Sequence, residues 1–532
     1  MKPPPRVPLA ALASLVAAAC ALLLLAPLRS QQSYSRSRWI AEGMRRGLRF
    51  SGGIMPGAPG APGAPGETTP ELELLERSLQ PFEQPLPGRG RRGVPPGLSD
   101  TRVSHDILPP DSASAGEPHT EAEPYLAVDP EDPNRLLALY QEDRFPSVGG
   151  ARALTFALST DGGRHWREGL LPRLTAASGG TLDRASDPWV AFGAGHAVYC
   201  SGLGFDDADS EGGVYVSASR DGGETWGDPV QVHAQSSAAI DDKDAVAVDN
   251  DPRSPYFGRV YVGWDISPSS GLAQALVMAH SSDGGGTFSS PATIFGHGGN
   301  IGIIPLVAPG GLVHAIWLHY EGGGLTTGTI ESSYSTDGGD TWSPPVKVAD
   351  VSVAPVPSSR TGDGLPGAAL DPATGNVFVA WQDQRFTPGA DQILLSVSAN
   401  GRSGWSSPRR VSDGPDDAAN FTAAVAVNDL GQVAVSYYSL RNSPPGNDSL
   451  VDEYLTIGGP RGRPFGRSRR QSFSSWDNRA AAIADGQFFL GDYQGLAAAG
   501  RNFLPLWVAT FATSPIDPPA KEPDVYTIAV GR

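Results

Sequence analysis

The sequence is poor in cysteine, in charge and in long apolar runs. Its two cysteines are Cys20 and Cys200, and only Cys200 falls in the part expected to fold. No internal disulfide is then available, so a packed core must supply the stability. Charged residues make up 18%, and the basic ones are scarcer, 40 Lys and Arg against 57 Asp and Glu. The imbalance is uneven: residues 1–100 carry +5 and the remainder −22. An acidic main domain argues against nucleic acid and anionic membrane surfaces as partners. The same excess of carboxylates leaves room for bound calcium as a cofactor.

One long apolar run is present, Leu9–Leu28, behind the basic stretch Met1–Arg6. Residues 1–28 read as a signal peptide or an uncleaved membrane anchor. The protein is therefore expected to be exported, whether periplasmic, cell-surface or secreted, touching a membrane only through this segment. Glycine (66) and proline (49) are abundant, as in turn-rich all-β chains. Residues 29–100 read as a disordered tether, with the Pro-Gly-Ala triplets of Pro56–Gly66 forming a stiff extended linker.

The rest, 101–532, is repetitive. Ser335-Thr-Asp-Gly-Gly-Asp-Thr-Trp342 recurs from Ser159, Ser219 and Ser281, and in decayed form from Ser398. Its aspartates are Asp161, Asp221, Asp283 and Asp337, with Asn400 in the fifth position. A second segment, an apolar strand followed by a strand ending near an aromatic, recurs seven times, from Pro124-Tyr-Leu-Ala-Val-Asp129 to Gln494-Gly-Leu-Ala-Ala498. Each unit reads as four short antiparallel strands with the aspartate motif at the last turn. A sheet that small cannot bury both faces alone, so neighbours must stack. The expected fold is an all-β propeller of seven four-stranded antiparallel blades, with six as the alternative. Val525–Val530 resembles a third strand that lacks a fourth, and Arg102–Ile107 resembles a fourth strand. An N-terminal strand is thus expected to close the ring.

In the motif, Asp accepts backbone N–H bonds across a tight turn and Gly permits positive φ, a structural role. These residues resemble the Asp-box, or BNR, repeat of the sialidase-like superfamily. For a true sialidase the resemblance implies six blades, an arginine triad that grips a carboxylate, a Tyr–Glu nucleophile pair and an Asp acid/base. The Phe/Tyr-Arg-Ile-Pro motif that carries the first arginine is absent.

Topology places the boxes opposite the face formed by first-strand starts and second-strand ends, and that face collects the polar candidates. Arg144, Arg385 and Arg441, together with Arg360, are candidates for binding an anionic substrate group. Tyr493 beside Glu123, with Asp187, is the candidate catalytic set. Asp187, Asp244 and Asp492 occupy corresponding positions, where like charges repel unless paired, protonated or bridged by a metal such as calcium. The expected function is binding of a glycan or protein ligand by a monomeric propeller. The alternatives are an exo-sialidase-type glycoside hydrolase and a structural propeller of the cell envelope.

Overall fold

The structure, a computed structural model, describes residues 100–531 apart from 110–113, 115, 148, 208–210, 237, 269–273, 321–324, 445–447, 463 and 511–521. The expected anchor and, save for Asp100, the tether lie outside the described residues. Among the described residues, no helix is long and apolar enough to cross a membrane, and the only helices are three single 3-10 turns.

The first sheet is an antiparallel meander of Glu121–Val128, Leu136–Arg144, Ala151–Ser159 and Arg167–Leu170. The second, starting with Arg184–Phe192, touches it through one pair, Ala151 opposite Ala185. Five more meanders start with Ala239–Val248, Gly299–Ala308, Gly367–Leu370, Asn420–Val427 and Gly495–Ala499. The last has three consecutive strands, and Thr101–Arg102 adds the fourth by pairing antiparallel with Asp524–Thr527. The first strands pack on one another in cyclic order, with the seventh against both the sixth and the first. A small extra sheet has no precedent in the repeats: Ser359–Arg360 runs parallel to Gln487–Phe489, which pairs with Ala482–Ala484.

The second strands carry the core. They alternate small and large apolar residues, and Trp264, Trp317, Trp381 and Trp507 are all fully buried between sheets. Five of the first strands bulge, opposite Tyr140, Gly202, Trp264, Trp317 and Tyr437 of the second strands. Two residues face one in the register shifts at Ala122/Tyr125, Ser186/Trp189, Asp242/Ala245, Ile301/Ile304 and Phe421/Ala424. The bulged residues Glu123, Asp187, Lys243, Gly302 and Thr422 have φ of 53°, 52°, 46°, 72° and 53°. Four of the five are not glycine, so the backbone holds a conformation that L-residues seldom adopt. Such strain persists only where the surroundings dictate it.

The aspartate motifs are turn locks. Asp337 Oδ1 accepts the Thr341 N–H at 2.9 Å and the Ser335 hydroxyl at 2.8 Å, and the same hydroxyl accepts the Gly339 N–H at 2.8 Å. Gly338 and Gly339 sit at φ 78° and 95°, where a side chain would be strained. The motifs also tie sheets together: Arg135 donates to the Gly222 carbonyl at 3.1 Å, and Arg259 donates to that of Gly338 at 2.7 Å. Asn400 keeps a weaker form, accepting the Arg402 and Ser403 N–H groups at 2.9 and 3.1 Å.

Hydrogen bonds from Thr341 hold the Asp337 carboxyl down at about 2, below the ordinary carboxylate range. A depressed folded pKa contributes stability that is present above the unfolded value near pH 4 and lost as pH falls toward 2. Asp337→Ala is therefore expected to lose about 1 kcal/mol at neutral pH, with the difference from the parent shrinking in acid. Denaturant titrations at pH 7 and pH 3 check this.

Candidate functional site

The bulges deliver charged side chains inward from several sheets to one buried place. The Lys243 ammonium donates to Asp492 Oδ2 at 2.7 Å, Asp187 Oδ1 at 3.2 Å and Glu123 Oε1 at 3.4 Å. None of these four side chains is more than 4% exposed. Arg360 donates to the same Asp492 oxygen at 2.8 Å and lies 3.4 Å from Asp485. The small extra sheet positions this arginine, because it pairs Arg360 with Phe489. The Arg360 and Arg144 guanidiniums lie over the Phe489 ring at 4.7 and 4.3 Å. Gln141 links the group, accepting from Arg144 and donating to Glu123 and to Ser186 Oγ.

Electrostatics separates the acids. Burial pushes the Glu123 carboxyl up to about 7 despite Lys243. Asp492 is equally buried, yet Arg360 and Lys243 hold its carboxyl below the ordinary value. Lys243 itself is raised, since Asp187, Asp492 and Glu123 together outweigh its burial. Asp244 is pushed well up by burial and by the Asp187 charge beside it.

An aromatic layer adjoins the charges. Tyr125 stacks on Trp189 with ring centroids 3.6 Å apart, and Tyr493 meets Trp189 edge-on at 5.3 Å. A cavity of about 40 Å³, whose lining includes Lys243, Asp244, Asp363, Gln382, Asp492 and Tyr493 beside apolar residues such as Ile303 and Leu365, lies here. It has room for a few waters and none for a sugar ring. Its walls Trp189 and Ile304 are shared with a far larger depression of about 680 Å³, lined by the later halves of the first strands. That volume is within the range of ligand sites. Its rim, Asn250–Arg253 among others, is made of turns between first and second strands. Those turns bond the aspartate-motif turns, as where Gly162 donates to the Asn134 carbonyl at 2.9 Å. The large opening therefore lies on the motif side, not on the opposite face that the strand order had singled out.

The structure brings together Glu123, Asp187, Asp492, Arg144 and Arg360. It gives Arg385 and Arg441 different partners. Arg385 pairs with Asp383 at 2.6 Å, and Arg441 pairs with Asp413 at 3.0 Å and stacks on Tyr454 at 3.8 Å. Tyr493 and Glu123 are neighbours without a nucleophile's geometry: the tyrosine hydroxyl donates to the Pro188 carbonyl at 3.0 Å. Burial, with the Glu123 and Asp187 charges, pushes that hydroxyl well above its ordinary value. The cation that bridges Asp187 and Asp492 is the Lys243 ammonium, which takes the place expected for a metal; Asp244 instead lines the small cavity. Lys243 stands among the polar strand entries of the face that the sequence marks, but the sequence alone assigns this single lysine of Asp241-Asp-Lys-Asp244 no role. Gln141, Phe489 and Tyr125 offered no signal.

No family model matches the chain, and no curated protein matches it. Among solved structures it is similar to the Hadza microbial sialidase Hz136, with 14% identity and a TM-score of 0.40 over 60% of this chain and 64% of that one. The chain thus spans less than two thirds of that sialidase. The Ruminococcus gnavus intramolecular trans-sialidase, in complex with oseltamivir carboxylate, gives 13% identity and a TM-score of 0.42 over 63% and 92%. The Penicillium chrysogenum alpha-L-arabinanase, complexed with arabinobiose, gives 13% and 0.41 over 65% and 92%.

Removing one partner from a buried ion network strands the others. Lys243→Met is expected to cost about 3–5 kcal/mol at pH 8. Glu123 has a folded value above its unfolded one, so its contribution is full below about pH 4.5 and fades as pH rises through about 7. The variant should therefore regain stability relative to the parent as pH falls from 8 to 5, because the stranded carboxyls take up protons. Urea titrations across that range measure it; equal loss at both ends would contradict the charge network.

Proposed function

We propose that the chain is an exported, seven-bladed β-propeller that binds a protein ligand in its axial depression. The cyclic packing of first strands supports the blade count, and the pairing of Thr101–Arg102 with Asp524–Thr527 supports closure by the N-terminal strand. The observation that carries the binding function is the depression itself: about 680 Å³, walled by residues such as Ala127, Val307, Leu370 and Ala498, with Tyr125 and Trp189 among its lining. Such walls offer few partners for sugar hydroxyls and suit an apolar peptide side chain. A glycan stacked on Trp189 is the other ligand class, and the same assay separates the two.

Hydrolysis of the exo-sialidase type is the second reading, and one observation favours it. Glu123 is pushed up and Asp492 down, the divergence that acid/base pairs show. Against it stand the Tyr493 hydroxyl, which donates to a carbonyl, and a cavity too small for the sugar.

The test is to probe peptide and glycan arrays with the full chain, alongside a fluorogenic sialoside. Apolar peptides should be captured. Ala498→Trp, which fills the depression, should weaken capture by about tenfold or more, a loss of about 1.4 kcal/mol. Arg385→Ala should change nothing, and no sialoside should be cleaved. Capture that survives Ala498→Trp, or sialoside cleavage lost in Tyr493→Phe, would overturn the proposal.

A further inference from the structure

The seam where the N-terminal strand meets the last strand holds a second concentration of carboxylates, none of which bonds Lys243. Asp106 follows the N-terminal strand, Glu121 opens the first strand of the first sheet, and Asp524 opens the last strand. One oxygen from each lies within 4.8 Å of the others. Glu121 is fully buried, and neither of its carboxylate oxygens has a hydrogen-bond partner. A buried carboxylate without donors is costly unless it is neutralised.

The surrounding cations do not provide for it. Arg102 pairs with Asp524, which also accepts the Ser104 hydroxyl at 3.3 Å and the Tyr526 hydroxyl at 3.4 Å. His119 lies 3.2 Å from Asp106. Glu142, whose charge also acts on Glu121, adds to the negative field. Arg102 acts on Glu121 through its charge but makes no hydrogen bond to it, and the acids outnumber the cations.

We propose that Asp106, Glu121 and Asp524 form a calcium site that locks the N-terminal strand to the last one. Three carboxylates supply only oxygen ligands, as a hard cation requires. Asp106 is exposed, which leaves the remaining positions to water. Calcium tolerates such irregular, partly hydrated sets better than magnesium, which demands octahedral geometry. Zinc prefers nitrogen and sulfur, which the three carboxylates do not offer. The ion would fasten chain segments more than 400 residues apart, in the place where Ser104 and Asp524 already bond (420 apart). Calcium would thus decide whether the ring stays closed.

The experiment uses the full chain stripped with a chelator, then dialysed against calcium, magnesium or zinc, with bound metal and thermal midpoint measured together. The expected result is one calcium per chain and a higher midpoint, both lost in Glu121→Gln. If that variant fails to fold, Asp106→Asn on the exposed side should weaken calcium binding while leaving a folded protein. The proposal is overturned if the parent binds no calcium, if it binds zinc in preference, or if Asp106→Asn and Glu121→Gln both bind as the parent does.

Discussion

The Lys243 ammonium, held among three carboxylates and shut away from water, is the interaction on which the centre of the structure depends. Its partners come from the first, second and seventh sheets, and Arg360 ties in a segment between the fourth and fifth. Transferring these charges from water costs several kcal/mol each, and only a complete set of partners offsets it. The set is complete only if the first strands of the first three sheets bulge at the same level, which is why Glu123, Asp187 and Lys243 hold positive φ. A slip of one residue in any of these strands would turn a charge toward an apolar neighbour. The network therefore specifies register as much as it stabilises.

That arrangement divides the axis into two environments. At the level of the bulges the interior is charged and nearly full, its carboxylates drawn onto Lys243 and Arg360. Beyond the Tyr125–Trp189 stack it widens into an apolar depression with a turn-built rim. Chemistry that needs a sugar beside Tyr493 and Glu123 would first have to displace Trp189 and break the Lys243 contacts. Binding in the depression disturbs neither. The aspartate motifs then have a second consequence beyond locking their hairpins. By bonding to the turns of neighbouring strands, they stiffen the rim around the opening.

Much of the fold was legible because it is written in short-range pattern. The Ser-x-Asp-Gly-Gly turns announced themselves by glycine positions that need positive φ. The paired apolar segments marked first and second strands, down to the aromatic that sits against four of the five bulges. The incomplete last unit pointed to Arg102–Ile107 as its missing strand, whereas the pairing with Asp524–Thr527 is made by Thr101–Arg102 and shares only Arg102 with that stretch. The parallel pairing of Ser359–Arg360 with Gln487–Phe489 left no local trace, since two residues at each end carry no periodicity. The site was half legible. Placing Glu123, Asp187, Arg360 and Asp492 together followed from strand order alone. What strand order does not encode is where each side chain points, so Arg385 turned to Asp383 and Arg441 to Asp413 and Tyr454. Lys243 could be placed on that face but not recognised as the bridging cation, because its partners lie up to 249 residues away.

The most direct measurement is chemical access to the depression. Ala127→Cys places a thiol in its wall, in a Cys20→Ser background where Cys200 is buried. The thiol should react readily with a small maleimide, and the labelled protein should lose peptide capture while keeping its thermal midpoint. Full capture by the labelled protein would contradict ligand binding in the depression.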